Sequence, residues 1–167
     1  DKDTRAIIAY LRNLKPVKNA TRKSVYKMPL PPAYGPPVGF IPDVPRTDKV
    51  KYGEYLAGPL GHCMECHTPM TKPPMRDYKN MMGAGGFVFH GPWGESVAAN
   101  ITPDNETGIG KWTDAQIKKA ITDGVRADGT KLRPPMAFAY YKNISDDDLN
   151  AIVAYLRSLK PIKNEVR

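Results

Sequence analysis

Cys63 and Cys66 are the two cysteines of the 167-residue chain, and His67 follows them directly in the pentapeptide Cys-Met-Glu-Cys-His. Two thiols at this spacing lie on one turn of helix, so each sulfur can add to one vinyl group of the same porphyrin. His67, on the same turn, can then reach the iron from one face as the proximal axial ligand. The spacing therefore predicts one covalently attached haem c.

Two other uses of a cysteine pair fit the sequence less well. A zinc site needs two more ligands at matching spacing, and elsewhere the chain offers only His62 and His90. A redox-active C-x-x-C pair is typical of a βαβ pattern, which is not found, and it has no use for a trailing histidine. Because the haem takes both cysteines, cysteine usage indicates no redox compartment.

A second axial ligand is predicted in the loop at 131–138, where Pro134 and Pro135 directly precede Met136. Thioether sulfur binds iron weakly, and a proline-restricted backbone loses less entropy when it holds such a ligand in place. Met64 and Met70 lie too near His67 to cross the porphyrin. Met136 is therefore the predicted distal ligand. Four other side chains have the reach without a stiffened loop, and His90 is the main alternative among them: Met75, Met81, Met82 and His90.

The chain carries 25 Lys and Arg against 17 Asp and Glu, a formal charge of +8. This excess predicts a partner with an acidic docking surface. Nucleic acid is disfavoured because the basic residues are scattered and no binding motif accompanies them. No apolar segment of membrane-spanning length occurs, so membrane attachment is not visible in this chain. Asp1 is not preceded by a secretory signal, which we expect to have been removed or to lie outside this sequence.

Helical periodicity and capping residues predict four amphipathic helices. Gly53 lies inside the second predicted helix, where a glycine lowers helix stability relative to alanine. That cost is expected only where another element packs closely against the helix, and the last helix is the obvious partner. The predicted helices are 3–14, ended by Pro16; 47–57, capped by Thr47; 113–124, with a Thr113–Gln116 capping box and Gly124 at its end; and 145–159, capped by Ser145.

The first predicted helix is repeated in the last one. Residues 3–19 and 148–164 are identical at 12 of 17 positions, at an offset of 145. Repetition at domain-sized spacing suggests duplication. It predicts that residues 1–19 are the closing helix of a preceding domain, although a duplicated amphipathic helix without that history is an alternative. Residues 20–46, which include a Pro-rich stretch, are predicted to be an extended linker.

Little periodicity is present between residues 70 and 111, where Pro and Gly recur and at most a short strand is expected at 83–94. A long irregular stretch in a haem protein is expected to wrap the lower edge of the porphyrin. Trp93, Trp112 and Asn100 are candidates to hydrogen-bond a propionate, and each is equally compatible with ordinary loop packing.

The haem-attachment pentapeptide, the Pro-preceded Met136 and the closing helix together resemble a class I cytochrome c domain over residues 47–164. More narrowly, four segments resemble haem domains in the cytochrome c subunits of bacterial membrane-bound alcohol and sugar dehydrogenases: 98–104, 108–129, 134–136 and 148–164. The resemblance implies an all-α fold of three to four helices around a covalent haem, here with an extra N-terminal helix and long irregular loops, and a haem domain at 47–167. It also implies that Cys63 and Cys66 attach the haem and that His67 and Met136 are the axial ligands of its iron.

The function implied is electron transfer, from a dehydrogenase or a neighbouring haem to quinone or an oxidase. The protein would be a carrier and not itself an enzyme, in the periplasm or at the membrane surface that faces it, with dehydrogenase subunits or another haem domain as partners. An alternative is a haem enzyme or sensor with an open sixth position, a peroxidase or gas binder, for which His90 is the available distal acid–base group. A third is a haem module that only positions other domains.

Overall fold

A computed structural model describes residues 2–27, 29–30, 39–72 and 75–166, in two compact units, Asp1–Asp43 and Val44–Arg167. The first unit contains helix α1 (Lys2–Asn13), within one residue of the predicted bounds, and α1 has no buried residue. Its other described residues form neither helix nor strand. The middle of the predicted linker, 31–38, lies outside the described residues.

The second unit is mainly helical. Its elements are α2 (Lys49–Tyr55), a π-helical turn (Leu56–Leu60), α3 (Cys63–Cys66), β1 (Val88–Gly91), β2 (Gly94–Val97), α4 (Asp114–Asp123), α5 (Phe138–Tyr141) and α6 (Asp146–Ser158). Helices supply the core, as expected, but the all-α description needs a correction, because β1 and β2 form an antiparallel hairpin in which Val88 pairs with Val97. Gly94, at φ +86°, supplies the positive φ that its tight turn requires. None of the helices among the described residues has the length and apolar character needed to cross a membrane.

Helix α2 packs against α6 through Gly53. A Cβ placed on Gly53 would lie 2.6 Å from the carbonyl carbon of Ala151 and 2.8 Å from Cβ of Tyr155. Only a glycine leaves room for so close a backbone approach. The predicted crossing of the two helices, with Gly53 near Tyr155, is confirmed.

The start of α2 differs from the prediction. Asp48, not Thr47, is the N-cap, and its carboxylate accepts a hydrogen bond from the Lys51 amide at 3.1 Å. Either side chain could cap a helix, and α2 begins one residue later than the sequence pattern predicts. Beyond Tyr55 the helix widens into the π turn, where the Gly61 amide donates to the Leu56 carbonyl at 2.7 Å. Pro59 has no amide hydrogen, and its ring would clash with the carbonyl four residues earlier in an α-helix, so the wider turn relieves both conflicts.

The caps of α4 and α6 are confirmed. Thr113 and Gln116 form the reciprocal capping box, and Gly124 ends α4 at φ +66°. Ser145 caps α6 by accepting from the Asp148 amide at 3.2 Å. These caps follow from local sequence because both partners lie within four residues of one another.

The core lies between α2, α4 and α6, and α6 contributes more buried residues than either of the other two helices. Its buried residues are Leu149, Ala151, Ile152, Val153, Tyr155 and Leu156. After α6 the chain runs extended across the loop at 100–107, where the Ile162 amide donates to Thr102 Oγ1 at 3.1 Å and the Asn164 amide donates to Thr107 Oγ1 at 2.9 Å. This strap ties the end of the unit to the segment that follows the hairpin.

Candidate functional site

A cavity in the second unit brings together three of the four predicted site residues. Cys63, His67 and Met136 all line it, although Met136 is 69 residues beyond His67 in the chain. The fourth, Cys66, lies at the other end of α3 from Cys63 and is partly buried. Most of the remaining wall is apolar: Leu56, Ile101, Ile121, Ile144, Ile152 and Leu156. Apolar walls with a few polar groups would suit a flat, largely apolar ring system, with His67 and Met136 as the residues that would hold its metal.

His67 is oriented by the backbone of a distant loop. Its Nδ1 lies 2.7 Å from the carbonyl oxygen of Ala99. Because a carbonyl only accepts, Nδ1 carries the proton and Nε2 keeps its lone pair for a metal. Burial lowers the pKa of His67, opposed in part by this hydrogen bond. The imidazole is therefore neutral at pH 7, which is the state an iron ligand needs.

The cysteine environment disfavours thiol–disulfide chemistry. Burial raises the pKa of the Cys63 thiol to about 11, and burial also raises the pKa of Cys66. Redox-active C-x-x-C pairs depend on a lowered thiol pKa, which supplies the reactive thiolate. Here both sulfurs are protonated thiols at pH 7, and Cys63 faces the apolar cavity. They fit the addition of a thiol across a vinyl group, in which sulfur bonds to one carbon and hydrogen is added to the other.

The loop that carries Met136 is anchored at both ends. Near α4, Val125 and Lys131 form an antiparallel bridge, and the Leu132 amide donates to the Gly124 carbonyl at 2.7 Å. Beyond Met136 the chain enters α5, at whose end the Tyr141 hydroxyl donates to the Gly61 carbonyl at 2.8 Å. Tyr141 also lines the cavity. The sulfur-bearing loop is therefore tied to the turn that leads into Cys63.

The alternative ligands lie elsewhere. His90 is on β1 with 72% of its side chain exposed, 3.3 Å from Glu95, and does not line the cavity. Met64 is in the hydrophobic core and Met82 packs against it, while Met70 and Met75 are exposed. Among the described residues, no group of three or more His, Cys, Asp and Glu side chains is placed to hold a metal ion, which the zinc interpretation would require.

The candidates for a propionate contact also have other roles. The Asn100 amide donates to Ile162 O at 2.7 Å and to Thr107 Oγ1 at 3.0 Å, and its oxygen accepts from Thr102. Its hydrogen-bonding capacity is used in tying the C-terminal strap to the loop. Trp112 packs against the core, and Trp93 covers Gly91 at the hairpin turn. These contacts are the loop packing that was the other interpretation of the three residues, and a propionate contact stays a prediction.

Two arginines have structural roles that the sequence patterns do not indicate. Arg157 of α6 donates to the carbonyls of Ile109 and Trp112 and pairs with Asp114 at 2.9 Å, so it fixes α6 to the start of α4. Arg76 donates to Thr68 O at 2.9 Å, and its guanidinium lies 4.0 Å from the Phe87 ring centroid. This pins the segment just after His67. Arg157 had a signal in the sequence, because the repeat preserves it as Arg12.

Comparisons with known proteins agree with this geometry. The family model "Cytochrome c" matches residues 53–160. The chain is 37% identical over 105 residues to a nicotinate dehydrogenase polypeptide of Pseudomonas putida, covering 63% of this chain and 8% of that protein. It is 37% identical over 114 residues to the cytochrome c subunit of the quinone-dependent alcohol dehydrogenase of Gluconobacter oxydans, covering 68% of this chain and 22% of that protein.

Two further relatives are also described as c-type cytochromes. The cytochrome c subunit of gluconate 2-dehydrogenase from Pantoea cypripedii is 39% identical over 106 residues, covering 64% of this chain and 22% of that protein. A diheme cytochrome c-type protein of Cereibacter sphaeroides is 31% identical over 113 residues, covering 66% of this chain and 36% of that protein. The chain thus spans about a third or less of the length of these curated relatives. With the family match over most of the second unit and a cavity bounded by Cys63, His67 and Met136, we conclude that the chain belongs to the cytochrome c family, whose members hold haem c covalently.

Proposed function

We propose that the second unit is a class I cytochrome c domain that transfers electrons through one haem c. Cys63 and Cys66 attach the haem, and His67 and Met136 are its axial ligands. The observation that carries the proposal is the convergence of Cys63, His67 and Met136 on one apolar cavity, with Nδ1 of His67 already committed to Ala99. That arrangement leaves one imidazole nitrogen and one thioether sulfur available for axial ligation.

The haem iron, when bound, supplies a one-electron couple whose potential is raised by methionine ligation and by burial. The protein contributes rigidity and exclusion of water. Ala99 fixes the tautomer of His67, and Tyr141 ties the end of the Met136 loop to Gly61. Ile121 and Ile152 close the apolar walls. Held in this way, both ligands stay in place when the charge of the site changes, which keeps the rearrangement that accompanies electron transfer small.

We propose that the haem domain occupies residues 47–167 and that 20–46 is a linker. The electron donor in this proposal is a dehydrogenase subunit or a neighbouring haem, and the acceptor is quinone or an oxidase. Support comes from relatives whose names describe them as cytochrome subunits of alcohol, fructose and gluconate dehydrogenases. The same kinship supports a bacterial periplasmic location in this proposal, and fractionation of the native host by osmotic shock would test it.

An enzyme or gas sensor is less well supported. Such chemistry requires an open sixth position and a distal acid–base group. His90 does not line the cavity. Among the described residues that line the cavity, Tyr141 is the one titratable group besides Cys63 and His67. Its hydroxyl donates its proton to the Gly61 carbonyl. The position of Met136 in the wall of the cavity supports it as the sixth ligand in this proposal.

The test is the absorption spectrum of the oxidised, haem-loaded protein. We expect the weak long-wavelength band of sulfur-to-iron charge transfer, and its loss in Met136→Ala. After reduction, carbon monoxide should bind to Met136→Ala and not to the unmodified protein, because only the variant has an open position.

Two control variants make the result specific. Met75→Ala removes an exposed thioether, and His90→Ala removes the alternative ligand; both should keep the band and exclude carbon monoxide. If the unmodified protein lacks the band and binds carbon monoxide readily, the electron-carrier proposal is wrong and ligand-binding chemistry replaces it.

A further inference from the structure

A short glycine-rich segment, residues 83–86, lies between the two stretches of chain that orient the predicted proximal ligand. We call residues 83–86 the glycine segment. On one side it holds the stretch that carries the imidazole. The Gly85 amide donates to the His67 carbonyl at 2.7 Å, and the Gly83 amide donates to Oγ1 of Thr68, a residue with no exposed surface, at 3.1 Å. The backbone at the predicted proximal ligand is therefore tied to this segment at two points.

On its other side the glycine segment holds the stretch that contains Ala99. The Gly86 amide donates to the Ala98 carbonyl at 2.8 Å, and the Ile101 amide donates to the Gly83 carbonyl, also at 2.8 Å. Ala99 lies between these two attachment points, and its carbonyl accepts the hydrogen bond from the imidazole Nδ1 at 2.7 Å. The donor and the acceptor of that hydrogen bond are thus both attached to the same four residues.

Gly85 is the point of closest approach between the glycine segment and Ala99. A Cβ built on Gly85 would lie 2.5 Å from the carbonyl carbon of Ala99, 2.6 Å from its oxygen and 2.6 Å from the carbonyl oxygen of Ala98. All three atoms belong to the backbone, so none can turn aside as the end of a flexible side chain could. Gly85 also has φ +77°, which side chains rarely adopt. Position and conformation both require glycine here.

We propose that Gly85 is a positioning residue for the proximal ligand, because its lack of a side chain lets the Ala99 carbonyl approach His67 Nδ1 closely. This inference rests on the proposed function, in which His67 binds the haem iron through Nε2. A carbonyl that accepts from the second N–H of a metal-bound histidine raises the basicity of the ligand. A more basic ligand favours the ferric state. Gly85 therefore keeps the reduction potential lower than it would be with a weaker hydrogen bond.

The direction of the effect follows from the length of the bond. At 2.7 Å the hydrogen bond from His67 to Ala99 is already at the short end of the range for N–H···O bonds. A methyl group that displaces the Ala99 carbonyl can therefore only lengthen or bend it, which raises the potential. A general loosening that admits water has the opposite sign, because burial raises the potential. The sign of the change separates the two.

The experiment compares Gly85→Ala with Gly86→Ala in the haem-loaded 167-residue chain. Gly86 has φ +91°, so alanine imposes comparable backbone strain there, but its Cβ would meet only side-chain atoms of Asn164 and Val166 at 3.6 Å. In a redox titration, the ratio of reduced to oxidised protein at a fixed ambient potential should be at least about 2-fold higher for Gly85→Ala than for the control. This ratio corresponds to a potential at least about 18 mV more positive, since tenfold is about 59 mV for one electron.

A second measurement follows the hydrogen bond itself. Proton nuclear magnetic resonance of the reduced protein gives the rate at which the Nδ1 proton of His67 exchanges with deuterium. Exchange should be roughly 2- to 12-fold faster in Gly85→Ala than in Gly86→Ala. A purely structural role would lower the Tm of both variants without separating their potentials or exchange rates. Equal potentials in the two variants, or a lower one in Gly85→Ala, overturn the inference.

A milder variant decides the matter if Gly85→Ala does not bind haem. Thr68→Val keeps the buried shape and removes the oxygen that accepts from the Gly83 amide. It should also raise the potential, whereas Thr71→Val, at an exposed position, should not. An unchanged potential in Thr68→Val then overturns the inference. In all these cases an unmodified chain that shows the charge-transfer band leaves the proposed function standing, and an unmodified chain that lacks the band refutes the proposed function itself.

Discussion

Gly53→Ala tests whether α2 and α6 meet at backbone distance. The added methyl would lie 2.6 Å from the carbonyl carbon of Ala151 and 2.8 Å from Tyr155 Cβ. Both distances are shorter than van der Waals contact. Ala151 and Tyr155 are buried residues of α6, so neither can shift without displacing the residues packed around it. Overpacking of this kind costs about 1–3 kcal/mol. Alanine recovers roughly 0.5–1 kcal/mol of helix propensity over glycine, so we expect a net loss of about 1–2 kcal/mol.

Gly58→Ala is the matched control for this substitution. Gly58 lies in the π-helical turn that continues α2, and a Cβ built on it meets no atom within 4 Å. The same chemical change should therefore leave stability unchanged or raise it by up to about 1 kcal/mol. The difference between the two variants isolates the helix crossing from propensity.

The assay is guanidinium chloride unfolding of the haem-loaded protein, followed by far-ultraviolet circular dichroism. The charge-transfer band, measured in parallel, reports whether pushing α2 and α6 apart also disturbs the proposed ligation by Met136. Gly53→Ala should unfold at a lower midpoint than Gly58→Ala, with similar slopes. Equal midpoints, or a higher one for Gly53→Ala, would refute the close approach of α2 and α6.

The remaining predictions concern the cavity and the surface near it. Tyr141→Phe removes the hydrogen bond from the Tyr141 hydroxyl to the Gly61 carbonyl. Loss of this bond should destabilise the attachment of the Met136 loop by about 0.5–1.5 kcal/mol. Because added imidazole competes with Met136 for the iron, the affinity of the oxidised protein for imidazole should rise by the same free energy, roughly 2- to 12-fold. Tyr140→Phe, at the neighbouring and exposed position, should leave that affinity unchanged, and equal values for both variants would exclude a positioning role. Arg133→Gln should slow electron transfer to an acidic partner at low salt more than Lys163→Gln does. The charge of Lys163 is largely offset by Glu106, 2.5 Å away, so its removal should change the attraction between the two proteins less. The difference should disappear near 1 M salt, where the Debye length is about 3 Å, and a difference that persists there would contradict steering by charge.

Some features of the protein follow from short stretches of chain. Cys63, Cys66 and His67 share one helical turn because of their spacing alone. The caps at Thr113 and Ser145 likewise join atoms three residues apart. The cap of α2 lies one residue after the predicted Thr47, at Asp48. Thr and Asp have similar capping ability, so the choice depends on how the preceding chain enters the helix.

The repeat is visible in the sequence, and it predicts that residues 3–19 behave like a closing helix. Whether these residues are buried does not follow from the repeat. Identical side chains are buried in α6 and exposed in α1, because burial depends on which neighbours are present and not on the helix itself. Composition and periodicity are the same in both copies and carry no information about those neighbours.

The contacts that support the site come from segments far apart in the chain. The Ala99 carbonyl that orients His67 is 32 residues away, and the Gly61 carbonyl that receives Tyr141 is 80 residues away. Backbone carbonyls are chemically alike at every position, so no residue type marks the one that will accept a given hydrogen bond. Residue type and local spacing are enough to predict Cys63, Cys66, His67 and Met136 as the residues that would hold a haem. The fold decided which atoms hold those ligands, because that depends on contacts between segments far apart in the chain.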